Sequence, residues 1–330
     1  MAPTAAPAAG WKIWTALGLV YVVWGSTYLA IRYAVETLPP MLSASARFTG
    51  ALVVLATYLL VRKGRRALLA TRRQYLNAFT IGVLLLVGGN GGVVLAEQRG
   101  LPSGLAALLV AVVPLYVVLL RMADRDRPAL RTLVGVAIGF VGLAVLLGPG
   151  ARPHDVKVGT AEIILVSSLL WSIGSYLATR LELPKEPLVT SVVEMTGGAV
   201  GLALVGALRS ESVDLSHVTR SSWLALAYLC IFGSVVAFTA YSWLLGVAPV
   251  SKVATYAYVN PVVAVLLGAV FVNEQITLTS LLGGGLTVIA VAVVVSVEGR
   301  RRRTEPLSVP ADAPAQSADE LQGRERSSAT

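Results

Sequence analysis

The stretch WGSTYLAIR, residues 24–32, returns later in the chain as WSIGSYLATR, residues 171–180. Both contain the pattern Tyr-Leu-Ala-x-Arg, which starts at Tyr28 and again at Tyr176, 148 positions further on. Matches at offsets of 147 or 148 continue along the chain, and they pair Arg47 with Glu194, Pro102 with Pro249, Pro114 with Pro261, and Gly135 with Gly283. One short match would arise by chance in a chain rich in alanine and leucine, but collinear matches in several segments indicate a duplicated unit.

The composition places both copies in a membrane. Of 330 residues, 55% are hydrophobic and only 14% are charged, whereas about a quarter of the residues in a soluble protein are charged. Apolar runs of about 20 residues recur, and each is long enough to cross a hydrocarbon layer of about 30 Å as a helix. The first run, residues 14–35, is too long for the apolar part of a signal peptide, so we expect it to be the first spanning helix. The single cysteine, Cys230, cannot form a disulfide within the chain.

Helix-breaking pairs such as Pro39-Pro40 and Pro149-Gly150 separate ten predicted spans. The spans lie near residues 14–35, 40–61, 75–96, 101–121, 130–149, 158–179, 188–208, 221–245, 250–272 and 276–297. The predicted regions are a tail (1–11), a first repeat (12–150), a second repeat (158–298), and a basic and then polar tail (299–330). Both tails have few large apolar residues, which predicts disorder.

Each repeat holds five spans, which is an odd number, so the second repeat must begin on the opposite side of the membrane from the first. Inverted repeats of this kind are common in secondary transporters, which bind substrate near the midplane where the repeats meet. The predicted fold is an all-α polytopic membrane protein with ten transmembrane helices in two inverted five-helix repeats. The predicted function is solute transport by alternating access, and the alternative is a duplication that only makes a stable bundle.

The distribution of lysine and arginine predicts the orientation of the chain. If both termini are cytoplasmic, 20 of the 27 Lys and Arg residues lie on the cytoplasmic side and five lie on the outer side. An excess of positive charge in cytoplasmic loops is the rule for membrane proteins, and such loops also attract anionic lipid. Topology therefore explains the net charge of +9, and we expect no nucleic-acid partner.

Three longer stretches are VVWGSTYLAIRYAVETLPP (22–40), GGNGGVVLAEQRGLPSGLAALLVAVVPL (88–115) and FGSVVAFTAYSWLLGVAPVSKVATYAYVNPVVAVLLGAVFVNEQIT (232–277). They resemble the EamA-type transporters of the drug/metabolite transporter superfamily, and the resemblance covers nearly everything between residues 12 and 298. It implies a ten-helix bundle of two inverted repeats and a solute carrier of the inner membrane, often an exporter of amino acids, metabolites or drugs. The first repeat departs from the pattern, with Asp126 where the second has Asn273-Glu274, and we expect this position to be peripheral.

Polar and aromatic side chains within the first span indicate a candidate transport site, because such groups are costly in lipid and usually face a cavity or the bundle interior. Tyr21, Trp24, Tyr28 and Arg32 share one helical face. We predict that Trp24 and Tyr28 line a substrate cavity. Arg32, near the outer end, either reaches towards the membrane surface or pairs with Glu36.

The third span contributes Asn90 and Glu97, which lie seven residues apart on one helical face. Four glycines surround Asn90 and allow close packing or a bend, and Asn90 is a predicted cavity residue. Glu97 is either a proton or cation site or an end-of-span carboxylate near Arg99. Glu194 in the seventh span is either functional or structurally paired, since its repeat partner is Arg47.

The ninth span carries the predicted centre of the site. Tyr256 and Asn260 lie one turn apart and share a face, and Tyr258 lies on an adjacent face. Pro261 cannot donate a hydrogen bond to the carbonyl of Ala257, so that carbonyl is free for a ligand or a hinge. An amide in hydrocarbon needs a partner, and the alternative role for Asn260 is a hydrogen bond between helices. The remaining predicted members are Trp171, Ser234 and Tyr241 in the cavity, with the matched prolines Pro114 and Pro261 as hinges.

The sequence has no pattern for a metal site, for ATP binding or for a catalytic nucleophile. We therefore expect no cofactor and no enzymatic activity; the rival classes are a non-transporting membrane sensor or structural protein and an intramembrane enzyme. Few buried charges and many aromatic residues favour a neutral, zwitterionic or amphipathic solute. Glycines 135, 139, 142 and 283–285 in the fifth and tenth spans predict close helix packing or a dimer interface, so the protein is expected to be a monomer or a homodimer that contacts solute and lipid.

Overall fold

The computed structural model describes residues 10–124, 128–147, 159–248, 253 and 255–304. Throughout these ranges the regular structure is helical, which confirms the predicted all-α fold. Eight helices are long and apolar enough to span a membrane, and two shorter apolar helices, Leu130–Leu146 and Val259–Val272, accompany them in the described ranges. The body of the protein is the unit Met1–Gly299.

The helical segments follow the predicted spans closely. They are α1 (Gly10–Ala34), α2 (Pro40–Lys63), α3 (Arg72–Gln98), α4 (Ser103–Ala123), α5 (Leu130–Leu147), α6 (Thr160–Ala178), α7 (Pro187–Leu208), α8 (Arg220–Tyr228, Leu229–Val236 and Ala237–Val247), α9 (Tyr256–Val272) and α10 (Leu278–Thr304). We call the end where α1 begins, which includes the loop 64–71, the basic end. The opposite end, which includes the loop 99–102, is the distal end.

Two repeat partners, α3 and α8, share an irregularity that the hydropathy pattern does not reveal. The segments Val83–Asn90 in α3 and Leu229–Val236 in α8 have the wider π-helical winding. They start 146 positions apart, so the feature belongs to the duplicated unit. Wider turns of this kind are rare and often accompany functional sites because they displace side chains from the regular helical register.

The pair α2 and α7 packs side by side and is tied at both ends. At the basic end, Lys63 Nζ lies 2.8 Å from Glu186 Oε2. At the distal end, Glu211 Oε2 accepts hydrogen bonds from the backbone N–H groups of Met41 at 3.0 Å and Leu42 at 3.1 Å. A carboxylate suits the N-terminus of α2, where backbone donors are unpaired and the helix dipole is positive. These ties join the two repeats.

The glycines of α5 and α10 are used for packing within the bundle. A Cβ atom on Gly142 would lie 2.8 Å from the carbonyl oxygen of Gly283, and a Cβ atom on Gly283 would lie 2.9 Å from that of Gly142. The backbones of α5 and α10 therefore approach each other at a point where only glycine fits. Gly285 differs, since a Cβ atom there would meet nothing within 4 Å.

Candidate functional site

A central cavity of about 130 Å³ lies among seven helices and is lined by both repeats. The first repeat contributes α1 to α4, and the second contributes α6, α8 and α9. Of the residues predicted from the sequence, eight line this cavity, and they are Trp24, Tyr28, Asn90, Trp171, Ser234, Tyr256, Asn260 and Pro261. The tertiary structure thus brings together side chains from five helices that the sequence could only propose separately.

An aromatic cluster forms one wall of the cavity. The Trp24 ring lies 5.0 Å from the ring of Tyr241 and 5.1 Å from that of Tyr256, edge-on to the latter. The indole Nε1 of Trp24 donates a hydrogen bond to the carbonyl of Gly233 at 3.2 Å, which satisfies its one polar atom. Ring pairs at such separations contribute about 0.5–1.5 kcal/mol beyond their buried area. Tyr241 supports Trp24 and Tyr256 but does not line the cavity itself.

The basic side of this wall is closed by a small apolar cluster of Leu17, Val20, Leu244 and Val253. The rings of Trp24, Tyr241 and Tyr256 pack against it. The hydroxyl groups of Tyr21 and Thr255 also share a hydrogen bond there. Residues from α1, α8 and the start of α9 therefore separate the cavity from the basic end.

Asn260 is buried at the cavity edge and joins α9 to α1. In the amide orientation that satisfies its surroundings, the side-chain nitrogen donates to the carbonyls of Tyr256 and Tyr21, both at 3.2 Å. The contact with Tyr21 bridges two helices, so Asn260 has the packing role that the sequence left open in addition to its place in the cavity lining. Ala257, whose carbonyl Pro261 leaves without its usual helical partner, lines the cavity beside it.

The π-helical segments of α3 and α8 place two more polar residues, Asn90 and Ser234, in the cavity lining. Asn90 ends the segment in α3, and its buried Oδ1 atom has no hydrogen-bond partner in the described part of the chain. Ser234 lies within the segment in α8 and is 2% exposed. Gly89 makes room for its neighbour, because a Cβ atom there would lie 2.7 Å from the Trp171 ring.

The two predicted hinge prolines differ in the regularity of the helix around them. Pro114 is the second residue of the helical segment Val113–Ala123, and α4 is interrupted just before it at residues 111–112. The neighbours Ala111 and Val113 line the cavity, so the break itself contributes to the wall. Pro261 instead lies inside the continuous helix α9. The side chain of Tyr258 lies outside the described part of the structure.

Arg47 is the main cavity residue that the sequence reasoning did not select. It is 6% exposed, lines the cavity, and donates from Nε to Ser234 Oγ at 2.9 Å. Its Nη1 atom is buried and has no hydrogen-bond partner among the residues that the structure describes. Ser168, which also lines the cavity, has a buried and unpartnered hydroxyl group. The signal for Arg47 was a charged residue seven positions into a span, where an ionised group is rare unless it is functional or paired.

An ion pair at the distal end corrects two predictions. Arg32 Nη1 lies 3.5 Å from Glu274 Oε1, so its ion-pair partner is Glu274 rather than Glu36. Glu274 also accepts hydrogen bonds from the N–H and hydroxyl groups of Ser103, at 2.7 and 2.9 Å, and from the N–H of Gly104 at 3.0 Å. Position 274 is therefore not peripheral, because it caps α4 and joins the two repeats.

Glu97 is buried close to this group. Its side chain is 4% exposed, and within the described ranges neither carboxylate oxygen has a hydrogen-bond partner. Glu274 and Arg32 act electrostatically on Glu97, and the described residues show no ion pair between Glu97 and Arg99. Glu97 lies one residue before the end of α3, so both predicted roles, a proton or cation site and an end-of-span carboxylate near Arg99, stay predictions.

The basic end carries a matching ion pair. Arg180 Nη2 lies 2.5 Å from Asp124 Oδ2, and Tyr176 donates to the same oxygen at 2.7 Å. Arg32 and Arg180 end the two copies of the repeated Tyr-Leu-Ala-x-Arg pattern. Each arginine pairs with an acid from the other repeat, one at each end of the bundle. Glu194, in contrast, is buried in α7 and is not ion-paired with Arg47, its repeat partner, among the described residues.

Comparison with known proteins agrees with this architecture. A model of the EamA-like transporter family matches residues 11–148 and again residues 161–296. The chain belongs to the EamA-like transporter family. One relative is the uncharacterized inner membrane transporter YedA of Escherichia coli strain K12, which is 37% identical over 279 residues, or 84% of this chain and 89% of the relative.

Two further comparisons are more distant. A protein named as a probable amino-acid metabolite efflux pump in Salmonella typhimurium is 25% identical to this EamA-like chain over 301 residues, with 88% of this chain and 96% of that protein covered. A solved crystal structure is similar with a TM-score of 0.61 and 21% identity, and the match covers 88% of this chain and 98% of the other. At that identity the likeness establishes the fold alone.

Proposed function

We propose that this EamA-like protein is a secondary transporter of the inner (cytoplasmic) membrane that exports small metabolites, amino acids or drug-like amphipathic solutes by alternating access. The observation that carries the proposal is the cavity between the two repeats, because transporters built from inverted repeats bind their substrates there. Its wall of apolar and aromatic groups with a few polar atoms is typical of small-molecule sites. The relative in Escherichia coli is named an inner membrane transporter, which supports the inner membrane as the location. The relative in Salmonella typhimurium is named a probable efflux pump, which supports export as the direction of transport.

Alternating access is supported by the two ion pairs at opposite ends of the bundle. Arg32–Glu274 at the distal end and Arg180–Asp124 at the basic end each connect one repeat with the other. A transporter of this kind closes one end while it opens the other as one repeat moves against its partner. We infer that one pair breaks when the cavity opens towards its end of the bundle, while the other pair holds its end closed.

The orientation of the protein is part of the proposal, with both termini in the cytoplasm. The basic end carries the loops rich in Lys and Arg, which favours its placement on the cytoplasmic side and contact with anionic lipid. Ser212 is exposed in the loop between α7 and α8 at the distal end. A cysteine at position 212 is expected to react with a membrane-impermeant thiol reagent added to intact cells, and labelling only after the membrane is opened would contradict the orientation.

The transport function itself is tested by flux. Cells that overproduce the protein are screened for resistance to toxic amino acids, metabolites and drugs. The flux of each solute that the screen identifies is then measured in proteoliposomes containing the purified protein, as a monomer or a dimer. Solute movement that depends on the protein is expected for at least one of these solutes. Protection that is lost with an uncoupler indicates proton drive, and protection that persists indicates facilitated diffusion. A lack of flux across a broad panel would favour a sensor, a structural protein or an intramembrane enzyme.

A further inference from the structure

We propose that Arg47 binds a carboxylate group of the solute, so that the cavity selects small monocarboxylates with an apolar body. This inference rests on the proposed function, because it assigns a ligand class to the same cavity. It also differs from the prediction made from the sequence, which favoured a neutral, zwitterionic or amphipathic solute.

The charge of the cavity is the first reason. Among the described residues that line it, Arg47 is the one charged side chain, and none of the lining residues is acidic. A guanidinium group stays protonated in proteins. A buried ion is costly unless a partner of opposite charge compensates it. The cavity is therefore complementary to a ligand with a single negative charge.

The geometry of the guanidinium group is the second reason. Its Nε atom is held by Ser234 Oγ at 2.9 Å, and its Cζ atom lies 4.9 Å from the centre of the Phe48 ring. These contacts fix the plane of the group and leave the buried Nη1 atom without a partner. A guanidinium plane held in this way suits a carboxylate, which can accept two parallel hydrogen bonds from it.

Space beside Arg47 is kept by the absence of a side chain at position 233. A Cβ atom on Gly233 would lie 3.2 Å from Arg47 Nη2. Such a contact is tighter than most Cβ contacts in proteins, so with a larger residue at position 233 the guanidinium group would have to shift by a few tenths of an ångström. The carbonyl of the same glycine accepts the Trp24 hydrogen bond, which links the charged part of the cavity to the aromatic wall.

The other lining groups restrict the rest of the ligand. The unpartnered Asn90 Oδ1 and Ser168 Oγ atoms leave two polar atoms free for a hydrogen-bonding group on the solute. The volume of about 130 Å³ is close to that of engineered apolar cavities that bind benzene. A phosphate dianion fits poorly, since the described lining offers a single cation. These features favour a small carboxylate with an apolar body and one further polar group.

The test compares carboxylates with their uncharged amides. The thermal stability of the purified protein is measured with benzoate against benzamide and with 4-methylpentanoate against 4-methylpentanamide, because a ligand that binds the native state raises the melting temperature. The carboxylates are expected to stabilise the wild-type protein more than the amides. In Arg47→Met this preference is expected to weaken by roughly tenfold to a hundredfold in affinity, as for a lost hydrogen bond to a charged group. Arg62→Met, an exposed site on the same helix, should retain it.

Arg47→Lys keeps the positive charge but lacks the planar fork, and it serves if the methionine variant does not fold. Its carboxylate preference should be reduced but present. Equal stabilisation by carboxylates and amides, no stabilisation by either carboxylate, or an unchanged preference in the Arg47 variants would overturn the proposal. A variant that only melts earlier while keeping the preference would show that Arg47 merely holds α2 against α8. Since the measurement involves no flux, a protein that binds carboxylates through Arg47 but moves no solute would refute transport alone.

Discussion

Trp24→Ala and Asn260→Ala are each expected to abolish or strongly reduce transport while the protein still reaches the membrane. Trp24 forms the aromatic wall with Tyr241 and Tyr256, and removal of its ring would open that wall. Asn260 lies at the cavity edge and links α9 with α1. For Asn260→Ala, loss of a substrate hydrogen bond of about 1–3 kcal/mol would weaken binding by roughly fivefold to more than a hundredfold.

The cost to folding distinguishes the two substitutions. Trp→Ala in a packed interior typically costs about 3–5 kcal/mol, whereas a hydrogen bond between membrane helices is worth on average about 0.6 kcal/mol. A loss of transport in Asn260→Ala with near-normal stability would therefore indicate a role in solute binding. A large fall in melting temperature in the same variant would indicate a packing role.

Two controls accompany these variants. Trp223→Ala removes a tryptophan that is 45% exposed on α8, and it should leave transport unchanged. Trp24→Phe keeps a ring against Tyr241 and Tyr256 but loses the bond to the Gly233 carbonyl, so it should retain part of the activity. Flux and cell-surface abundance are measured together for an established substrate. If Trp24→Ala and Asn260→Ala both transport with unchanged affinity and rate, the assignment of the central site is wrong.

Glu97→Gln is expected to remove the part of transport that a proton gradient drives. We propose that Glu97 is the proton site, because it is buried, lacks a hydrogen-bond partner and lies near the Arg32–Glu274 pair. Two carboxylates next to one arginine leave one negative charge uncompensated, and a bound proton would remove it. Protonation or deprotonation of Glu97 would therefore change the stability of the Arg32–Glu274 ion pair, which joins the repeats at the distal end.

The measurement distinguishes coupling of transport to the proton gradient from movement of the solute itself. In proteoliposomes with an imposed pH gradient, Glu97→Gln should lose gradient-driven accumulation and still exchange labelled for unlabelled solute, since a carboxamide cannot release a proton. Glu162→Gln changes an exposed acid near the start of α6, also at the distal end, and should behave as wild type. A Glu97→Gln variant that still accumulates solute in response to the gradient, or a wild-type protein that ignores the gradient, would contradict the coupling role.

Much of the fold could be predicted from the pattern of apolar residues. Ten apolar runs and a constant repeat offset are local properties of the chain, and in a membrane each run must form a helix so that its backbone groups are hydrogen-bonded. The same reasoning placed Trp24 and Tyr28 on one face of the first span. The sequence did not predict the π-helical segments at Val83–Asn90 and Leu229–Val236. The glycines near Asn90 allow several backbone distortions, and the packing of neighbouring helices determines which one forms.

The partners of charged residues show most clearly where the sequence was insufficient. Glu36 is near Arg32 in sequence, but Glu274, 242 positions away, pairs with it. The repeated Arg at the end of each copy was visible in the sequence, while the acid that it meets in the other repeat was not. Arg47 could not be selected from the sequence for the same reason, since its importance comes from the cavity around it and from the absence of acidic residues among those described in its lining.

The sequence by itself determined the membrane location, the ten helices, the inverted repeat and the aromatic faces that line the interior. These follow from hydrophobicity and from helical periodicity, which act over a few residues or over one span. Only the tertiary structure decided that Glu274 caps α4, that Arg47 is held by Ser234 in a cavity whose described lining has no acidic residue, and that Arg32 and Glu274 act electrostatically on the buried Glu97. Such contacts join residues distant in the chain, and their energies depend on burial and on distances of a few ångströms, which no local pattern encodes.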